Sequence, residues 1–304
     1  MTAAGGPPVP SATTESGAIV QAALWMGGSI VSFSVMAVAG RVLSAELDTF
    51  EIMLWRSITG CLIVWTVLSA TGGWGRLGGR LGLHAVRNVA HFTGQNLWFY
   101  AITAAPLAQV FAVEFTSPIW ALLLAPLLLS ERLTRTRAAV AAVGFAGVLI
   151  VARPGYDMAP GVPFAALAAL FFAVTGLLTR RLTRDQPLWT ILFWLTGFQT
   201  VFGLVCAGYD GDIAVPRGET WAWAVGVGVA GLVAHLSLTR ALALAPAAVV
   251  MPIDFARLPV IALVGMWLYG EPLGWPLVVG AALILSANWY GLRAESRRIT
   301  PVPL

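Results

Sequence analysis

The hydrophobic residues of this chain come in long runs, separated by short polar stretches that carry Gly, Pro and Arg. Neither the two-residue alternation of a half-buried strand nor the narrow stripe of a surface helix describes them. A helix needs about 20 mostly apolar residues to cross the hydrocarbon core of a bilayer. Ten runs approach that length: 18–40, 52–70, 85–104, 107–129, 136–153, 162–180, 188–208, 220–243, 246–269 and 275–293. Within lipid only a helix satisfies every backbone group inside a single span, so these runs predict helices and not barrel strands. The expected fold is an all-α integral membrane protein of ten transmembrane helices.

Composition agrees. Of 304 residues, 58% are hydrophobic and 11% charged, where a soluble domain carries about 25% charged residues. The net charge of +4 comes from arginine alone, since the chain has no lysine. The arginines cluster between apolar runs, which is the mark of membrane topology and not of a nucleic-acid-binding face. With the N-terminus cytoplasmic, thirteen arginines fall on the inner side and three (Arg41, Arg153 and Arg217) on the outer. This positive-inside bias predicts a bacterial inner-membrane protein with both termini in the cytoplasm. Residues 1–17 hold no basic residue, so they read as a disordered cytoplasmic tail and not a signal peptide. Residues 294–304 read as a second tail. Cys61 and Cys206 both lie inside apolar runs, which excludes a disulfide framework and offers no metal site. Trp74, Trp189, Trp221, Trp223 and Trp275 stand at span ends, where such rings anchor at the headgroups.

The chain also repeats itself. At an offset of 140 residues, Ala105-Pro106 falls on Ala245-Pro246, Glu114-Phe115 on Asp254-Phe255, Glu131 on Glu271, Leu133 on Leu273 and Arg153 on Arg293. Each copy holds five spans, an odd number, so the second must enter the membrane inverted. The predicted halves are 18–155 and 162–293. Inverted repeats are a common architecture of secondary transporters, with substrate bound near the midplane.

The stretches Leu97–Gly155 and Ala241–Arg293 carry these motifs, and each resembles an EamA domain of the drug/metabolite transporter superfamily. The resemblance implies a carrier of small metabolites, coupled to a proton or to an exchanged solute, with no cofactor. Glu114 before Phe-Thr-Ser-Pro is similar to members that move nucleoside-like or vitamin-like solutes and to amino-acid exporters.

Charged side chains at the bilayer centre cost about 2.5–3.5 kcal/mol or more, so each needs a partner or a function. Glu114 and Asp254 are each about 12 Å into their spans, entered from opposite sides. Asp254 and Arg257 are three residues apart and share a helix face. Glu114 has no cation on its own face. A carboxyl buried that way favours its neutral form, the property of a proton carrier; the alternative is a cross-helix pair with Arg56 or Arg257. Arg56 is about 7.5 Å deep, which allows either ligand binding or snorkelling to the interface. His91 and Gln95 are one turn apart, and the repeat sets His235 opposite Gln95. Trp25, Trp98 and Trp194 are candidate aromatic walls. Ala142 and Ala146, and Ala282 and Ser286, have the spacing of close helix packing, and Glu131 and Glu271 read as structural acids near helix starts.

Gly226, Gly228 and Gly231 match a dinucleotide-binding pattern but lie inside a span, without the strand that pattern requires. The rival readings are a lipid-modifying membrane enzyme and a channel or scaffold. The histidines have no nearby acid at a catalytic spacing, and the polar residues gather at mid-depth instead of lining whole helices. A carrier is the better reading.

Overall fold

A computed structural model describes residues 12–129, 134–153, 158–244 and 253–299, all of the regular structure among them helical. The helices are α1 (Ala12–Leu43), α2 (Thr49–Thr71), α3 (Leu81–Ala104), α4 (Leu107–Glu114), α5 (Ser117–Leu129), α6 (Arg135–Ala152), α7 (Val162–Leu182), α8 (Leu188–Ala207), α9 (Thr220–Leu244), α10 (Arg257–Tyr269) and α11 (Trp275–Ile299). Among the described residues, six stretches are long and apolar enough to cross a membrane: Gly17–Leu43, Thr49–Thr71, Leu107–Leu124, Val162–Thr179, Leu188–Ala207 and Thr220–Ala241. The remaining predicted spans are helical where described. Of these, Ala138–Ala152 and Arg257–Tyr269 are apolar but shorter, and α3 is interrupted by Arg87, Asn88, His91, Gln95 and Asn96.

Three boundaries differ from expectation. Helix α1 starts at Ala12, inside the predicted tail, and α11 continues to Ile299, past the predicted end of its span. Polar residues at both places let the helices run on beyond the apolar stretch. The run 107–129 is not one helix. It breaks at Phe115–Thr116 because Pro118 has no N–H to give to the Glu114 carbonyl. The hydroxyl of Ser117 donates to that carbonyl (2.8 Å), the Thr116 hydroxyl donates to Val113 O (2.7 Å), and Asn288 on α11 donates to Phe115 O. Side chains thereby satisfy backbone groups that lipid would leave bare. At the same offset of 140, the Ala256 amide donates to Ile253 O just as Thr116 donates to Val113 O, both at 3.0 Å.

Packing pairs α1 with α9, α2 with α8, α3 with α7 and α6 with α11, while α4 lies against both α7 and α10. The exterior is apolar: Leu24, Leu62, Trp65, Val89 and Leu149 are more than half exposed, while His84, Asn88, His91, Gln95 and Gln199 are buried. A water-facing surface rarely shows such a distribution. The connections gather at two ends. At one, Glu51 closes the capping box of α2 with Asp48 and accepts from the Ala214 amide (2.7 Å), and the Gly161 amide reaches Ala104 O (3.1 Å). At the other, Arg80 meets Asp185 (2.6 Å).

The close helix seam lies one step away from the predicted one. Ala142, Ala146, Ala282 and Ser286 are exposed, whereas Gly147 and Gly280 face each other. A Cβ on Gly147 would stand 2.7 Å from Gly280 O, and one on Gly280 2.6 Å from Gly147 O. Small residues recur on neighbouring faces of both helices, and spacing alone does not choose among those faces. Gly147→Val is expected to lower stability by about 1–3 kcal/mol through overpacking. Gly226→Val, in open space, should change it little. Thermal unfolding in detergent compares them; equal melting of the two variants would contradict the seam.

Candidate functional site

The two interrupted helices meet at their breaks. Phe115 and Phe255 pack edge to face with centroids 5.6 Å apart, which brings Glu114 at the end of α4 beside Asp254 and the start of α10. Arg257 bridges both acids: Nη2 donates to Asp254 Oδ2 at 2.8 Å and Nη1 to Glu114 Oε1 at 3.4 Å. Its guanidinium lies over the rings of Phe33 (4.7 Å), Phe115 (5.0 Å) and Phe111 (5.4 Å). The second Glu114 oxygen accepts from Trp98 Nε1 at 2.8 Å. The cation missing from Glu114's own helix face is thus supplied across the bundle, and it is Arg257 and not Arg56. Asp254 Oδ1 and Arg257 Nε are buried without partners, so the cluster keeps one acceptor and one donor in reserve.

Phe33 links this cluster to a second one. Its ring, under Arg257 on one side, packs edge-on against His235 (5.7 Å), and His235 packs against His91 (5.6 Å). His235 then lines a narrow cavity with Arg56, Ser57, Thr196, Gln199 and Gly231. Arg56 does not snorkel. It is 6% exposed, and its guanidinium lies where a Cβ on Gly231 would stand, 2.8 Å from Nε. Gly228 likewise leaves room for Thr59 and Arg56 O, so two glycines of the discarded dinucleotide pattern serve helix packing. Among the described residues no carboxylate faces Arg56. Arg56 Nε, Ser57 Oγ, both nitrogens of His91, Gln95 Nε2, Gln199 Oε1 and His235 Nε2 are buried without hydrogen-bond partners. Unsatisfied polar atoms at this density are costly and point to a ligand or water as their partner.

The other predicted residues lie elsewhere. Trp25 is 41% exposed on α1, away from either cluster. Trp194 donates from Nε1 to Leu77 O (3.1 Å) and packs near His84, at the end marked by Arg80 and Asp185. Glu271 is structural in a different way from that expected. It accepts from the Leu107 amide at the start of α4 (2.7 Å) and pairs with Arg41, while Gly265 leaves the space its carboxylate fills. Glu131 lies outside the described residues. Arg87, counted with the cytoplasmic arginines, is buried and donates to Thr179 (2.9 Å) and Asn88 (3.1 Å).

Sequence reasoning missed Phe33, Ser57, Asn88 and Gln199. The signal for Asn88 and Gln199 was present, since each is a polar residue within a predicted span. Phe33 carried none, because one phenylalanine in an apolar run looks like any other.

An apolar exterior around a buried polar interior defines a multi-pass membrane protein. The EamA-like transporter family profile matches residues 20–153 and again 159–289, and the chain belongs to that family. It is a secondary transporter of small metabolites within the drug/metabolite superfamily. Among similar proteins, a riboflavin transporter of Rhizobium johnstonii is 34% identical over 95% of this chain and 96% of its own length. A riboflavin transporter of Vibrio cholerae is 28% identical over 92% and 95%. An S-adenosylmethionine uptake transporter of Rickettsia felis is 24% identical over 91% and 94%. One solved crystal structure aligns with a TM-score of 0.63 at 20% identity, over 92% of this chain and 99% of that one, a likeness of fold.

The shared arginine makes a direct prediction. Arg257→Ala strands two buried carboxylates and should destabilise the protein by about 3–5 kcal/mol. Adding Asp254→Asn and Glu114→Gln together should recover more of the melting temperature than either alone. Purely additive losses would mean the three residues are uncoupled.

Proposed function

We propose that this chain imports riboflavin, or a closely similar flavin, across the bacterial inner membrane by alternating access. The observation that carries this reading is the buried polar set around Arg56, with hydrogen-bonding atoms left free next to the rings of Phe33 and Phe172. A flavin offers the complement: a planar aromatic face, a polar ring edge and no net charge. The names of the Rhizobium johnstonii and Vibrio cholerae relatives support the same substrate. S-adenosylmethionine fits less well on charge. Beside the cavity Arg56 faces no carboxylate among the described residues, and a sulfonium placed there would meet its positive charge.

The carrier works as ten transmembrane helices in two inverted five-helix halves, residues 18–155 and 162–293. Two observations support the inversion. The helix breaks recur at the 140-residue offset, and the most extensive helix pairings follow the same relation: span one meets eight as three meets six, and spans two and seven, and five and ten, pair with each other. The arginine excess supports cytoplasmic termini, and the bilayer is the protein's other partner. Arg41 and Glu271 then close the outer end. That closure, with the mid-depth gathering of polar groups, favours a carrier over a channel or a lipid-modifying enzyme.

Coupling follows from the arginine shared by two acids. A proton on Glu114 removes one of the two negative charges that hold Arg257, and an exchanged solute with an acidic group would compete for the same cation.

Expressed in a riboflavin-auxotrophic bacterium without its own uptake system, the protein should restore growth on external riboflavin. Uptake of labelled riboflavin should be competed by unlabelled riboflavin and not by S-adenosylmethionine; the reverse competition would overturn the substrate. In proteoliposomes, Glu114→Gln keeps size and hydrogen bonding without titration. It should abolish uptake driven by a pH gradient yet keep counterflow exchange. Gradient-driven uptake at the wild-type rate would remove Glu114 from coupling.

A further inference from the structure

The cavity beside Arg56 has a hydrogen-bonding pattern more specific than polarity alone. The side-chain amide of Gln199 is oriented by Asn88: Nε2 donates to the Asn88 main-chain oxygen at 3.0 Å, and a carbonyl can only accept. The amide oxygen is therefore the free atom, buried and unpartnered, on a side chain with no exposure. Asn88 is itself fixed, since its Nδ2 donates to Trp194 O (3.1 Å) and its Oδ1 accepts from Arg87 (3.1 Å). On the opposite helix Arg56 offers only donors, and Gly231 leaves its guanidinium the room to lie flat against α9. Ser57 Oγ and His235 Nε2 hold further unpartnered atoms beside the same cavity, and either can donate.

We propose that this cavity is a subsite for a cyclic imide, the edge O=C–NH–C=O of a pyrimidinedione ring. Arg56 donates to one carbonyl, Gln199 Oε1 accepts the imide N–H, and Ser57 or His235 donates to the second carbonyl. The assignment rests on the flavin reading above, because riboflavin carries this edge, and it deepens that reading by naming which end of the solute enters here. The cavity is too narrow for a whole flavin, so the ring edge enters it while the remainder lies toward Phe33 and the Glu114–Arg257 cluster. A site built to accept an N–H discriminates strongly against a ligand that lacks one, because its own acceptor is then left bare.

The test uses purified full-length protein in detergent and the fluorescence of the flavin itself. Wild-type protein should bind riboflavin at least tenfold more tightly than 3-methylriboflavin, in which the imide proton is replaced. It should bind 5-deazariboflavin, altered away from that edge, within about threefold of riboflavin. Gln199→Leu should weaken riboflavin at least tenfold and shrink the methyl penalty to less than threefold. The wild-type comparison needs no variant to fold. Equal binding of riboflavin and 3-methylriboflavin by the wild type, or an undiminished penalty in a folded Gln199→Leu protein, overturns the subsite and leaves flavin transport standing. If the wild type binds no riboflavin, the flavin reading fails, and uridine against 3-methyluridine decides the subsite. A tenfold preference for uridine retains it; equal binding, or none, overturns it.

Discussion

Arg257 holds the centre of this molecule because it answers two acids that belong to different parts of the chain. Asp254 precedes it on the same segment, whereas Glu114 comes from a helix that ends 143 residues earlier. A guanidinium buried among Phe33, Phe111 and Phe115 is stable only while carboxylates compensate its charge, and each acid in turn relies on the arginine. The helix breaks that expose these groups are tolerated because Thr116, Ser117 and Asn288 satisfy the freed backbone. Removing the ion cluster would leave those breaks without a purpose, and removing the breaks would carry the acids away from the arginine.

Around that centre the bundle is tied unevenly. The end holding Arg41 is cross-linked through one guanidinium to Glu271 and to the main-chain oxygens of Ile102 (2.6 Å) and Ala105 (2.7 Å). Glu271 also caps α4, so that end joins α1, the α3–α4 turn and the segment after α10 in one network. Since α4 carries Glu114 at its far end, the Glu271 contact and the ion cluster lie at the two ends of one helix. A single short helix therefore links the Arg41–Glu271 pair at one end to the Glu114–Arg257 pair at the centre.

Much of this could be read from the sequence, and the remainder could not for identifiable reasons. The apolar runs located the helices, because their length is set by the bilayer and not by local propensity. Glu114, Asp254 and Arg257 stood out as charges inside apolar runs, and so did Arg56, His91, Gln95 and His235. What the sequence did not reveal was who faces whom. Periodicity put Asp254 beside Arg257 but had nothing to say about Arg257 reaching Glu114 across the bundle. It also gave no sign that Arg56 points inward instead of toward the interface, or that Trp25 faces out while Phe33 faces in. Arg87 shows the same limit: an arginine near a span end looks like a topology signal, and the sequence does not show that Thr179 and Asn88 receive it.

The interior that results is polar in a particular way. Arg257 has acids to spare, whereas Arg56 has none among the described residues, and the atoms around Arg56 are mostly donors or adaptable groups. A carrier must be stable both empty and loaded, which limits how many such atoms it can leave without partners. Water can serve them in the empty state, since a small polar cavity with several partners holds it well. A solute that replaces that water must reproduce its hydrogen bonds or bind weakly. Neutral molecules with several carbonyl oxygens meet this condition, whereas a cation beside Arg56 would meet a like charge. On the proposed reading, the ion cluster joins α4 to α10, and the arginine without a carboxylate partner among the described residues is the group left to meet a solute.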